Sequence, residues 1–171
     1  ELSEDELLTT EAEEHDAVYD SKFEYPFRGD TFEISNERVQ TLYRPVWKPN
    51  AHWYGFRKQR LLKLLDLSKI EGKDVLVMGC GNGQHAVYLA LHGANAIGYD
   101  ISNHGVKQGR RAARVNGVSD NATFSVADAS SLPFEDKSFD IVLSSAVLHH
   151  VWKYDGVGEE IYRVLRDGGR F

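Results

Sequence analysis

Apolar positions along the chain fall into two kinds of run. Short, nearly unbroken ones, above all Val75-Leu76-Val77-Met78, predict buried strands, whereas apolar residues three and four apart, as in Phe56, Leu61, Leu64 and Leu65, predict an amphipathic helix. Read this way, the chain gives a helix over 53–67 and a strand through 75–78. A helix over 84–92 and a strand over 95–99 come next, and then a helix over 102–115. Strands over 122–127 and 139–145 and a helix over 156–165 complete the pattern. Strands alternating with helices imply an α/β fold with a doubly wound, mostly parallel sheet, because parallel neighbours need crossover connections.

The pattern changes near Trp53. Before it, Glu4 to Tyr19 has helix-forming composition, and Phe23 to Pro49 carries many aromatics (Phe23, Tyr25, Phe27, Phe32, Tyr43, Trp47) around three of the four prolines. Two regions follow: 1–52, a helical and aromatic extension, and 53–171, an α/β core. The extension can serve as a lid, with Tyr19, Tyr25, Tyr43 and Trp53 near a substrate, or its aromatics can pack against the core.

Composition narrows the function classes. The chain has 171 residues, 42% hydrophobic and 27% charged, which suits one globular domain. No apolar run reaches the roughly 20 residues of a membrane helix, and the start, ELSEDELLTTEAEEHD, lacks the pattern of a secretory signal. A cytoplasmic protein is expected. Net charge is −6 with Lys and Arg dispersed, which speaks against a broad nucleic-acid footprint. The one basic cluster, Lys107 to Arg114, reads as a solvated helix face. The single cysteine, Cys80, excludes an internal disulfide and a multi-cysteine zinc site.

Chemistry concentrates where the first strand ends. Val75 to Gln84 reads as a hydrophobic strand running into the turn Gly79-Cys80-Gly81-Asn82-Gly83 and then a helix. Such a turn is either a plain connection or one that lets a ligand lie against backbone. Asp100 ends the next strand, in Gly98-Tyr99-Asp100-Ile101-Ser102. Its carboxylate can accept hydrogen bonds from both hydroxyls of a ribose lying across the turn, or it can cap the following helix, a role open equally to Ser102. At the end of the third strand Asp128, in Val126-Ala127-Asp128-Ala129, can accept from an adenine amino group.

VLVMGCGNGQ, GYDIS, VADASSLPFEDKSFDIV, SSAVLHHV and RVLRDGGRF together resemble the successive motifs of class I S-adenosylmethionine-dependent methyltransferases of the small-molecule-methylating type, over residues 73–171. The resemblance implies a Rossmann-like fold, S-adenosyl-L-methionine as cofactor with S-adenosyl-L-homocysteine as product, and a small-molecule acceptor. It places Gly79, Gly81 and Gly83 along the methionine and ribose, Asp100 on the ribose hydroxyls, Asp128 on the adenine amino group, and Ile101 and Ala129 beside the adenine ring. Cys80 and Gln84 in the turn and Ser144 at the end of the fourth strand complete the expected cofactor-binding set. Two departures stand out. Val77 replaces an acid common in the family. The family also continues from RVLRDGGRF into a fifth strand, a further helix and an antiparallel pair, so the sheet is expected to lack its C-terminal strands and to offer an edge that homo-oligomerisation can cover.

Methyl transfer from a sulfonium needs alignment, exclusion of water and, for some acceptors, removal of a proton. His149 and His150, after the fourth strand, are candidate general bases, with contact to cofactor or helix backbone as the alternative role for one of them. No metal is expected, because adjacent histidines diverge and no carboxylate or cysteine stands at helix spacing beside them. Cys80 lacks a partner base and is not expected to be a nucleophile. Two other functions remain in view. One is a cofactor-binding or regulatory module without catalysis. The other is a nicotinamide oxidoreductase, disfavoured because Gln84 stands where the dinucleotide fingerprint needs a glycine for close helix-to-strand contact.

Overall fold

Val75, Leu76, Val77 and Met78 are all buried, an unbroken apolar run that only a strand covered on both faces can use. In the computed structural model they lie in β1 (Asp74–Met78), the centre of a five-stranded sheet. The structure describes residues 65–145, 147–151 and 154–171, together with Glu6, Thr9, Thr10, Ala12 and Glu13. Those five are helical, and Thr10 Oγ1 donates to the Glu6 carbonyl at 2.7 Å. The aromatic segment 23–49 and most of the helix expected over 53–67 lie outside the described residues. Leu65 is helical, and Asp66 then turns left-handed at φ 44°, two residues before the expected end.

After β1 come α1 (Gln84–Leu91), β2 (Asn95–Asp100), α2 (Asn103–Val115), β3 (Ala122–Val126), β4 (Phe139–Ser144), α3 (Tyr154–Val164) and β5 (Leu165–Arg170). All strands run parallel, in the order β3-β2-β1-β4-β5. The chain winds outward through β2 and β3, then returns past β1 to β4. This reversal between β1 and β4 is the switch point at which open parallel sheets bind ligands beyond their carboxyl ends.

Two cores flank the sheet. Val75 and Val77 point with Ala96, Phe124, Ile141 and Leu143 toward α1 and α2, and Leu76 and Met78 point with Tyr99 and Val142 toward α3. The buried stripe of α2 (Gly105, Val106, Gly109, Ala112, Ala113) has helical spacing and nothing larger than valine, so the helix lies low on the sheet. Phe124 of β3 uses that room. A Cβ built on Gly83, Gly98 or Gly109 would stand 2.7 Å from a carbon of its ring, so three glycines form the slot for one aromatic side chain. Arg110 on α2 donates Nε and Nη2 to the Phe124 carbonyl at 3.0 and 2.7 Å, a structural use for part of the basic cluster.

One expectation is corrected. The fifth strand is present: Leu165–Arg170 pairs with β4, with a register irregularity between Phe139↔Leu165 and Ile141↔Arg170 that accommodates Gly168 and Gly169. At Gly83, one residue before Gln84, an added Cβ would come within 2.6 Å of Gly109 Cα on α2.

Candidate functional site at the carboxyl ends of the strands

Parallel pairing brings the expected residues to one end of the sheet. Met78 is in register with Tyr99 on one side and Ser144 on the other, so the glycine turn rises between Asp100 and Ser144. Asp100 is in register with Val126, and Asp128 follows two residues later, on the same rim. Gly79, Gly81 and Gly83 all have positive φ (59°, 52° and 82°), a backbone that side chains strain, which explains the repeated glycine in this turn.

Asp100 ties the turn to the second strand. Its carboxylate, in a residue 7% exposed, accepts from the Gly81 N–H at 2.7 Å through Oδ2 and from the Ser102 N–H at 2.9 Å through Oδ1. A carboxylate offers about four acceptor positions, so two remain for a ligand. Ser102 is the helix cap, its hydroxyl accepting from the Gly105 N–H at 2.9 Å; Asp100 is thereby free of that role. Half-buried Asp128 is aimed by Ser130, whose N–H reaches Oδ1 at 2.9 Å and whose hydroxyl reaches Oδ2 at 2.6 Å. Ile101 and Ala129 flank these acids, both half-buried, and half-buried Gln84 opens α1.

Cys80 departs from the picture of a turn open to a ligand. It is 5% exposed with its side chain in the core on the α1 side, and burial followed by the nearby Asp100 charge pushes its thiol pKa up. That makes it inert, and only its backbone faces the turn's function. Val77 also lies in this core, 2% exposed, so an acid there would sit in apolar surroundings.

Sequence reasoning missed three contributors. Val147, after β4, lies against the turn so closely that a Cβ on Gly79 would collide with its Cγ2. Gly79 is therefore required by the chain's own packing. Tyr99, 2% exposed, has a buried hydroxyl with no hydrogen-bond partner among the described residues; burial, then Asp128 and Asp100, push its pKa up, so it stays a neutral phenol. Ser130 could have been read from the Asp-x-Ser spacing, an Asx-turn signal. His149 and His150 lie in the short helical turn Leu148–His150 after β4, where the His150 N–H donates to the Val147 carbonyl at 2.8 Å and its side chain is exposed. The His149 side chain lies outside the description.

A strand-to-glycine-turn switch point with acids on the next two strand ends is the arrangement expected of a nucleoside-binding domain. The family described as "Methyltransferase domain" matches residues 76–171, from within β1 through β5. The chain belongs to this family. It is 33% identical over 159 residues to Methyltransferase GfsG of Streptomyces halstedii, covering 83% of this chain and 55% of that protein. It is 40% identical over 104 residues to Fatty-acid O-methyltransferase of Mycolicibacterium smegmatis, covering 60% and 36%. The crystal structure of an S-adenosylmethionine dependent methyltransferase from Mesorhizobium loti superposes with TM-score 0.56 at 28% identity, over 64% of this chain and 48% of that one. The chain thus spans about half, or less, of the length of these relatives.

Proposed function

We propose that this domain binds S-adenosyl-L-methionine across the carboxyl ends of β1 to β4 and serves methyl transfer to a small-molecule acceptor. The observation that carries the reading is the buried Asp100 carboxylate, locked to the glycine turn through Gly81 with two acceptor positions left over. The donor and acceptor set fits this cofactor: Asp100 for the ribose hydroxyls, Asp128 for the adenine amino group, Ile101 and Ala129 against the ring, and the backbone of Gly79, Cys80, Gly81, Gly83 and Gln84, with Ser144, along the remainder. The buried Tyr99 hydroxyl within electrostatic reach of both acids adds an unused donor to the same rim.

Held there by Asp100, Asp128 and the glycine turn, the cofactor would supply an electrophilic methyl group on a sulfonium sulfur, which would keep the electron pair of the broken carbon–sulfur bond as the acceptor's lone pair bonds the methyl carbon. The chain's own work is placement. Asp100 and Asp128 fix the nucleoside at two points, and the Val147 side chain closes the turn from the β4 side, excluding water. His149 or His150 takes the acceptor proton where the acceptor is a hydroxyl, since an imidazole is partly neutral near pH 7. The fatty-acid enzyme among the relatives favours a carboxylate or hydroxyl acceptor on an apolar body. No described helix is long and apolar enough to cross a membrane, and we place the protein in the cytoplasm.

Incubation with methyl-labelled cofactor and a panel of fatty acids and hydroxylated lipids tests the reading. Labelled product that disappears in Asp100→Ala is expected. Binding of the cofactor with no transfer to any acceptor would favour a non-catalytic module.

A further inference from the structure

The connection from β3 to β4 has no helix among the described residues. It crosses the α3 side of the sheet as irregular chain from Ala127 to Ser138, and a buried stretch of such chain must find partners for its N–H and C=O groups. Two side chains one turn apart on α3 supply them. Glu160 Oε2 accepts from the Leu132 N–H at 2.7 Å. Arg163 donates Nη2 to the Leu132 carbonyl at 3.0 Å and Nη1 to the Phe134 carbonyl at 2.6 Å, and reaches Asp136 Oδ1 at 2.9 Å. The pair is joined by a fork, Nε to Oε1 at 2.7 Å and Nη2 to Oε2 at 2.8 Å. Farther up the same helix face, a Cβ on Gly156 would stand 4.0 Å from Ser130 Cβ, and Ser130 is the residue that aims the Asp128 carboxylate.

We propose that the Glu160–Arg163 pair is a positioning device for nucleobase selection: it anchors the crossover at Leu132 and Phe134, and thereby holds the preceding Asp128-Ala129-Ser130 turn in the orientation that reads the adenine amino group. Arg163 touches no ligand in this account. Its planar fork is needed, because one guanidinium serves two carbonyls and two carboxylates at once, which a lysine ammonium cannot match in geometry. The inference rests on the reading that Asp128 faces adenine.

The test is calorimetric titration with S-adenosyl-L-homocysteine and with S-inosyl-L-homocysteine, which carries a carbonyl where adenine has its amino group. The unaltered chain should prefer the adenine compound by roughly tenfold or more, the loss expected when a carboxylate meets an acceptor in place of a donor. Asp128→Ala should bring the ratio near one. Arg163→Gln and Arg163→Lys should lower it several-fold, at a temperature where circular dichroism shows each variant folded; Lys137→Ala, which removes an exposed partner of Asp167 in the same region, should leave it unchanged. Should Arg163→Gln not fold, Asp136→Asn and Glu160→Gln, each removing part of the clamp, are expected to lower the ratio in its place. A folded clamp variant that weakens both ligands equally, or neither, overturns the positioning role. A ratio of one in the unaltered chain, or one untouched by Asp128→Ala, instead overturns the adenine reading on which the role depends.

Discussion

Replacing Gly83 by alanine asks whether the third glycine of the turn serves a ligand or the fold. The added methyl would stand 2.6 Å from Gly109 Cα and 2.7 Å from the Phe124 ring, and the backbone there has φ 82°. A left-handed conformation costs a non-glycine residue roughly 1–2 kcal/mol, and overpacking a filled site typically about 1–3 kcal/mol. Loss of unfolded-chain freedom returns up to about 1 kcal/mol. The balance is a destabilisation of roughly 1–5 kcal/mol, a fall in Tm of about 2–20 °C for a chain of this length. Phe124→Leu in the same molecule removes the ring atoms that the methyl meets, so the pair should be less destabilised than the sum of its parts by about 1 kcal/mol. Thermal melts of the four proteins in the cycle measure both quantities. An unchanged Tm in Gly83→Ala together with lost cofactor binding would refute the packing argument and return this glycine to the ligand.

Other consequences follow from the same contacts. Phe124→Ala empties the slot between α2 and the sheet and should cost about 3–5 kcal/mol in chemical denaturation. Cys80 should react with a thiol reagent only as fast as the domain opens, because burial and Asp100 hold it protonated; fast labelling of folded protein would contradict this. Arg163 lowers the Glu160 pKa, against partial burial, with help from the Leu132 N–H. At Asp140 burial also pushes upward, but the Asp74 N–H, Lys73 and Arg166 outweigh it. Groups with depressed folded values stabilise fully above their ordinary values of 4.5 and 3.8, and that contribution is lost as pH falls through the folded values. Stability measured across acid pH should therefore drop below about 4.5, and Glu160→Gln should flatten the upper part of that fall. Asp140→Ala removes one of the two carboxylates that the Arg166 guanidinium bridges, Asp140 at 2.9 Å and Asp74 at 2.8 Å, and should speed amide exchange in β5.

Local pattern was enough for the elements of the core, from β1 through α3, each of which begins and ends within two residues of expectation. Buried parallel strands and the α2 stripe carry their periodicity openly. The strand over 165–170 was not legible, because Leu165-Arg166-Asp167-Gly168-Gly169-Arg170 has the composition of a turn and pairs only through an irregular register. At the site, the positions of Asp100 and Asp128 were readable because Asp100 ends β2 and Asp128 follows the end of β3 by two residues. The roles of Val147, Arg163 and Phe124 were not, since their partners stand far away in sequence and meet them only when the sheet forms: Arg163 reaches carbonyls 29 and 31 residues away. Spacing alone could not say that the glycines at 79 and 83 make room for the chain's own side chains.

The central claim is that the Asp100 carboxylate and the glycine turn hold a nucleoside. Titration of the chain with S-adenosyl-L-homocysteine by calorimetry, repeated with Asp100→Ala and with NAD as competitor, tests it most directly. The account predicts saturable one-to-one binding that Asp100→Ala abolishes and NAD does not displace. Binding of equal strength in a folded Asp100→Ala protein, or displacement by NAD, would contradict it.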